Sequence, residues 1–284
     1  MADETQDSLD SALEGKPFEL VLVSGKGYGL LATENIVRGT RIIEETPIVV
    51  ARPDEEPGLL PETLAHLPPD KAAIIDDLYC APSALQTKGL AQLRKDAALI
   101  PRGPQKESAL AKAIADMKIT TKRMAIFDTN SIRMGGKGQY GVGIFALFSR
   151  LNHSCNPNLH NCYNATIGKE TVQAVRQINK GEELTISYMP MAYRTREQRA
   201  EMLKEHSGFV CKCRVCEGPR AANSEERRQK LSDLDQGLAF YERGLPPLPG
   251  LNVPTTAQQA LAMCEEMVYL LKEDNLTDFA LAHT

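Results

Sequence analysis

Three cysteines fall within six residues, in the segment CKCRVC (Cys211, Cys213 and Cys216). Structural metal ions of the zinc type take four tetrahedral ligands, mostly thiolates, and often draw them from such closely spaced runs. Three ligands leave the site one short, so the chain has to bring a fourth from elsewhere. That long-range requirement restricts the fold more than any other stretch. The candidate is Cys155, in RLNHSCNPN (150–158), where an imidazole, a thiol and several amides interrupt the apolar stretches GVGIFALF and TVQAVRQI. His206, five residues before Cys211, is the alternative ligand, and three loop thiols clustered without a metal is the plainer reading. The strand-rich middle of the chain and the later segment would be clamped together through Cys155, bringing Phe209 against Asn152 and His153.

Seven cysteines, an odd number, argue against a disulfide framework in a reducing compartment. The first sixteen residues, MADETQDSLDSALEGK, lack the basic and apolar regions of a secretory signal, so a cytoplasmic and/or nuclear location is expected. Cys80 and Cys264 lie in helical-looking text and are expected as inert core thiols, and Cys162 equally so. A formal net charge of −4 is not that of a protein that binds nucleic acid through a basic surface. No apolar run reaches the roughly 18 residues of a membrane span. Neither partner is therefore expected, and the sequence leaves the oligomeric state open.

Residues 1–16 are expected to be disordered, being too polar to bury compensating apolar surface. FELVLVSGKGYGLLATENIVRGTRIIEETPIVVA then reads as short strands broken by glycine turns. Residues 52–70, rich in proline and acid, read as loop, and Pro69 to about Met124 as helix with a break at PRGP (101–104). Together they form a helical insertion at about 52–129. Strand-like text returns at 139–148, 171–178 and 183–188, followed by a helix over 192–206 with Arg and Glu on one side and Met202 and Leu203 on the other. The thiol segment occupies 207–219. Residues 220–284 are helical, with patterns over 224–243 and 255–273 separated by GLPPLPGLNVPT. The closing NLTDFALAHT begins a helix too short to bury much, so a longer chain is expected. The strands are too short and irregular for a doubly wound sheet, and an α+β fold of small twisted sheets is predicted.

Four motifs in this order, GKGYGLLA (25–32), RLNHSCNPN, GEELTISY (181–188) and CKCRVC, resemble those of SET-domain protein lysine methyltransferases. GVGIFALFSRLNHSC, and GEELTISYMPMAYRTREQRAEML followed by GFVCKCRVC, are most similar to the SMYD branch and its fungal-type relatives. The resemblance covers roughly 17–219 and implies a SET domain over 17–206, with a zinc-binding post-SET segment at 207–219. It implies S-adenosylmethionine as cofactor, held by the backbone of Lys26, Gly27 and Tyr28, and by Asn152 and His153. Ser149 and Leu151 would line the pocket. Asn130, in TNSIRM, matches a further family asparagine, and Phe209 matches the aromatic that packs on the adenine. Tyr188 would stand where the methyl donor meets the amine of a lysine presented by a protein substrate. Methyl transfer from a sulfonium is an in-line displacement, so alignment of a neutral amine is the main task, and no dedicated general base is expected. As plain structure, Phe209 and Tyr188 would instead be core aromatics. Alternatives to lysine methylation are a SET fold acting on a small molecule, or one kept as a non-catalytic cofactor-binding or interaction module. Two departures from the SMYD pattern stand out. Residues 51–129 hold only His66 and Cys80 as Cys or His, too few for a MYND finger, and Ser207 replaces a second aromatic near the cofactor.

Overall fold

Alternating apolar residues around a glycine-punctuated turn make the first element pair. β1 (Phe18–Val23) and β2 (Gly27–Ala32) form an antiparallel hairpin in register from Phe18↔Ala32 to Val23↔Gly27. The turn places Gly25 and Gly27 at φ 73° and 75°, a region that side chains rarely occupy. The computed structural model describes residues 13–56, 58–81 and 104–276. The expected disorder of the first residues (1–12), the proline break up to residue 103 and the last helical pattern (277–284) fall outside them. The chain divides into two units, the first built from 1–151, 161–173 and 178–183, the second from 152–160, 174–177 and 184–284. No described helix is long and apolar enough to cross a membrane.

In the first unit, β3 (Arg41–Glu45) pairs antiparallel with β9 (Lys169–Ala174), which β8 (Leu159–Asn164) flanks on its other side. A second small sheet has the order β4 (Val49–Ala51), β6 (Val142–Ile144), β5 (Ile132–Arg133). Against it pack α1 (Leu59–Ala65), α2 (Pro69–Asp76) and the C-terminal part of α3 (Pro104–Asn130). Val49, Leu64, Ile75, Leu78, Ile126, Phe127 and Ile144 form the shared core. Arg123 of α3 ties the short helices together, donating from Nε and Nη2 to both Asp76 carboxylate oxygens at 2.9 and 2.8 Å, and from Nη1 to the Leu64 carbonyl at 2.8 Å. Residues 59–65 were expected as loop because of their prolines. They are helical because Pro61 sits in the first turn, where its missing N–H is no loss, and Leu64 supplies the buried contact.

Glu45, at the end of β3, accepts hydrogen bonds from the backbone N–H groups of Leu147 (3.0 Å) and Phe148 (2.6 Å). It thereby holds the 3-10 turn Phe148–Arg150 that leads into the Asn-His motif. Across the ladder Glu45 faces Glu170, which is fully buried and receives the Asn161 amide at 3.0 Å. Burial raises both carboxyls to about 7, and Glu45 raises Glu170 further by repulsion. Between the unfolded value near 4.5 and about 7, the folded chain holds more protons than the unfolded one. This contribution to stability is complete below about pH 4.5 and is lost as pH rises through 7. Glu170→Gln, neutral at every pH, should therefore gain on the wild type between pH 5 and 8, by up to about 3 kcal/mol for a group moved that far. Urea melts at the two pH values measure it.

In the second unit, β7 (Asn152–His153) runs parallel to β10 (Glu183–Ile186), pairing Asn152 with Thr185 and His153 with Ile186. α4 (Arg196–Ser207) starts at a capping box between Thr195 and Gln198 and stops at Gly208, φ 74°. The capping box delays its start relative to the expected Ala192. A short α5 (Arg214–Glu217) carries the last thiol of CKCRVC. α6 (Ala221–Glu242) and α7 (Ala257–Glu273) pack through Leu231, Leu234, Met263, Met267, Leu270 and Leu271.

Candidate functional site

The end of α4 and the start of α5 bring the thiols together. Gly208 lets the chain reverse into Phe209–Val210–Cys211. Cys213 is the N-cap of α5, and its backbone N–H faces the Cys211 sulfur at 3.4 Å. Cys155 arrives from the loop after β7. The four sulfurs all lie within 4.8 Å of one another, and the Cys155–Cys216 and Cys213–Cys216 separations are both 3.7 Å. A disulfide would need about 2.05 Å, and all four cysteines are free. His206 is not in the group; it is exposed, in the last turn of α4. Among the described residues these four thiols are a set able to hold a metal ion. Thiols this close share protons unevenly. Hydrogen bonds, from Cys155 above all, pull Cys213 down and bring Cys216 to about 7, whereas those with Cys211, Cys213 and Cys216 push Cys155 up. A central cation would let all four ionise. Of the other thiols, Cys162 and Cys264 are exposed rather than core, and the half-buried Cys80 packs against the core of the first unit.

Two arginines lie buried against this cluster: Arg199, from the Arg and Glu side expected of α4, and Arg228, for which the sequence raised no expectation. Arg199, 1% exposed, shares a face of α4 with Leu203 rather than with the acidic residues. Its guanidinium donates to the Arg194 carbonyl (2.6 Å) and approaches the Cys216 sulfur (3.8 Å) and Glu225 (3.5 Å). Arg228 of α6 is fully buried and donates to the carbonyls of Met191 (2.8 Å) and Cys155 (2.9 Å). It also pairs with Asp274 at 3.3 Å. The buried Asp274 carboxylate accepts from Ser224 Oγ and Arg227 Nε, each at 2.6 Å. The signal for these roles was weak, because most acceptors are backbone carbonyls.

The amides of RLNHSCNPN act as structural ties. Asn158 Oδ1 accepts the Thr185 N–H at 2.8 Å, and Asn156 donates to the Asp274 carbonyl at 2.8 Å. His153 connects two features. Its Nδ1 accepts the Tyr188 N–H at 3.1 Å, which puts the ring proton on Nε2, facing the Cys155 sulfur at 3.3 Å. The rings of His153, Tyr188 and Phe209 form a triangle. The His153–Tyr188, His153–Phe209 and Tyr188–Phe209 centroids are 5.3, 6.0 and 6.3 Å apart, the last pair edge-on at 88°. Tyr188 is 43% exposed, so its ring is not a core residue, and Phe209 is half-buried.

The remaining candidates lie in the first unit. Lys26 tops the hairpin and its ammonium meets Glu183 at 2.6 Å. Tyr28 on β2 is exposed, with the Arg150 guanidinium 6.0 Å from its ring centroid, so the hairpin turn and the 3-10 turn come together. Arg150 is itself fixed to Asp77 at 2.7 Å. Leu151 is buried, and Ser149 Oγ is buried without a hydrogen-bond partner. Asn130, closing α3, donates its amide to the carbonyls of Tyr79 (2.8 Å) and Ile126 (2.7 Å), which leaves its own oxygen as the group it offers a ligand.

Arg228→Ala should cost about 3–5 kcal/mol in urea unfolding, the range for removing one partner of a buried ion pair. A loss below about 1 kcal/mol would mean that water replaces the guanidinium.

Residues 27–189 match the family model described as SET domain. The chain is 30% identical over 250 residues to histone-lysine N-methyltransferase set5 of Schizosaccharomyces pombe, covering 87% of this chain and 64% of that protein. It is 32% identical over 130 residues to histone-lysine N-methyltransferase SMYD3 of Homo sapiens, covering 46% of this chain and 28% of that one. With N-lysine methyltransferase SMYD2-A of Danio rerio it shares 39% over 132 residues, or 44% and 30% of the two chains. The chain thus spans under two thirds of each of these relatives.

Proposed function

The chain belongs to the SET-domain family, and from that premise we propose that it transfers a methyl group from S-adenosylmethionine to a lysine side chain of a protein. The observation that carries this reading is the ring triangle of Tyr188, His153 and Phe209, with a half-exposed tyrosine tied through one imidazole to a four-thiol cluster. The three relatives compared are named for lysine methylation. The cytoplasm or nucleus, where thiols stay reduced, suits its free cysteines.

Zinc is the proposed ion for Cys155, Cys211, Cys213 and Cys216. Four zinc–sulfur bonds of about 2.3 Å in a tetrahedron separate the sulfurs by roughly 3.8 Å, close to the 3.7 Å separations observed. Held by these four thiolates, the ion would supply charge compensation and a crosslink. Purified protein should contain about one zinc per chain, and Cys216→Ser should lose most of it. Metal analysis that finds none, in protein prepared without chelator, would remove this reading.

For the methyl donor we propose Lys26, Gly27 and Tyr28, with Asn130, Ser149 and Leu151, and from the second unit Asn152, His153, Tyr188 and Phe209. The residues present suit such a ligand. Ser149 Oγ is a buried group lacking a partner, and Phe209 offers a half-buried face to an aromatic base. When bound, S-adenosylmethionine supplies an electrophilic methyl group and a positive charge. The residues of the chain bind and align. Tyr188 presents its hydroxyl and ring edge to the incoming amine, while His153 fixes the backbone of Tyr188 through Nδ1. Proximity of this kind lowers the barrier by removing orientational freedom, so a base is not needed to explain turnover.

Tyr188→Phe keeps the ring and removes the hydroxyl. Stability should fall by no more than about 0.5–1.5 kcal/mol, and cofactor affinity measured by calorimetry should stay near wild type. Methyl transfer to protein acceptors should drop at least about tenfold, the pattern of an interaction that matters mainly in the transition state. Undiminished transfer would take Tyr188 off the catalytic list. A wild-type chain that binds the cofactor yet labels no protein would favour a small-molecule acceptor or a binding role.

A further inference from the structure

Between α6 and α7 the chain runs Arg243-Gly244-Leu245-Pro246-Pro247-Leu248-Pro249-Gly250, and all eight residues are exposed. Both leucines turn large apolar side chains to solvent, at 42% and 54% exposure. Nothing in the packing of the helices accounts for apolar residues turned to solvent here. Residues 245–248 have no regular secondary structure, and their composition favours an extended conformation. Each proline holds φ near −65°. Leu245, Pro246 and Leu248 each precede a proline, which pushes them out of the helical region toward the polyproline II range.

Both ends of the run are fixed. Before it, the N–H groups of Gly244 and Leu245 bond to the carbonyls of Tyr241 (3.1 Å) and Phe240 (2.9 Å) at the end of α6. After it, Leu251 N–H bonds to the Leu248 carbonyl at 3.0 Å, with Gly250 at φ 83°. Proline followed by a left-handed glycine at the two central positions is the signature of a type II turn, whose first central residue keeps an extended backbone. The run is thus anchored at both ends, and its prolines favour a left-handed three-fold helix between them.

In such a helix, with three residues per turn, Pro246 and Pro249 would lie along one edge and Leu245 and Leu248 along the next. Arg243, the C-cap of α6, precedes the run with an exposed side chain, separated from it by Gly244 at φ 61°. We propose that this segment is a docking site for an SH3-type domain. Such domains grip a polyproline II helix in grooves lined by aromatic side chains. The two proline–leucine edges would fill adjacent grooves, and Arg243 would reach an acidic pocket at one end. Because the segment is held at both ends before any partner arrives, little ordering entropy opposes binding.

The test titrates the full chain with isolated SH3 domains that take arginine-first proline-rich peptides, and with WW domains in parallel, by calorimetry. Saturable binding to SH3 domains is expected. Pro246→Ala with Pro249→Ala should weaken it at least tenfold, and so should Arg243→Glu alone, with zinc content and melting temperature unchanged. If the double variant melts lower, Arg243→Glu carries the test. Three outcomes would overturn the proposal: no binding to any SH3 domain, binding that the variants leave intact, or capture by WW domains alone. Self-association of the chain, abolished by the same variants, would assign the segment to contacts between copies instead.

Discussion

Four thiols packed 3.7 to 4.8 Å apart, most of them buried, are the constraint on which the second unit depends. Left to themselves they cannot all ionise, because each thiolate would repel the others in a medium that screens poorly. A divalent cation would resolve the conflict from inside, and the fully buried guanidinium of Arg228 and the almost fully buried one of Arg199 add positive charge from outside. The same arginines hold backbone carbonyls of Met191, Arg194 and Cys155. Charge compensation and chain tracing are thus performed by the same atoms. Loss of the ion would leave both guanidinium groups beside an unneutralised cluster, and the loop carrying Phe209 without its anchor.

His153 gives this cluster a bearing on chemistry. An imidazole has two nitrogens, and here one accepts from the Tyr188 backbone while the other faces the Cys155 sulfur. A thiolate at that sulfur is a better acceptor than a thiol, since hydrogen bonds to charged partners are stronger. The ionisation state of the thiol cluster is therefore linked to the backbone of Tyr188 through a single ring. The exposed face of that tyrosine stays open to a ligand while its main chain is held.

Much of this was legible in the sequence because the chemistry is demanding. A four-coordinate ion needs particular residue types, which is why Cys155 stood out far from CKCRVC. The helices α6 and α7 were readable from periodic apolar residues. What stayed hidden depended on partners that leave no pattern. Arg199 and Arg228 look like ordinary solvated arginines until backbone carbonyls surround them. Cys264 sits one residue off the buried stripe of Met263, Met267 and Leu271, and so faces water. The helix at Leu59–Ala65 was obscured because proline tolerance in a first turn is positional, and composition alone does not reveal position.

The ties around Cys155 also impose an order of events on a chain made from its N-terminus. Cys216 lies 61 residues after Cys155, Arg228 lies 73 after it, and Asp274 follows Asn156 by 118. At about 5–20 residues per second, the motif strand waits several seconds for its last partner to leave the ribosome. Until Cys216 is made Cys155 lacks that thiol partner, and the Asn-His strand has only β10 and its neighbours to hold it. The segment RLNHSCNPN, largely buried once folding is complete, is thus open to oxidation and mispairing during its own synthesis.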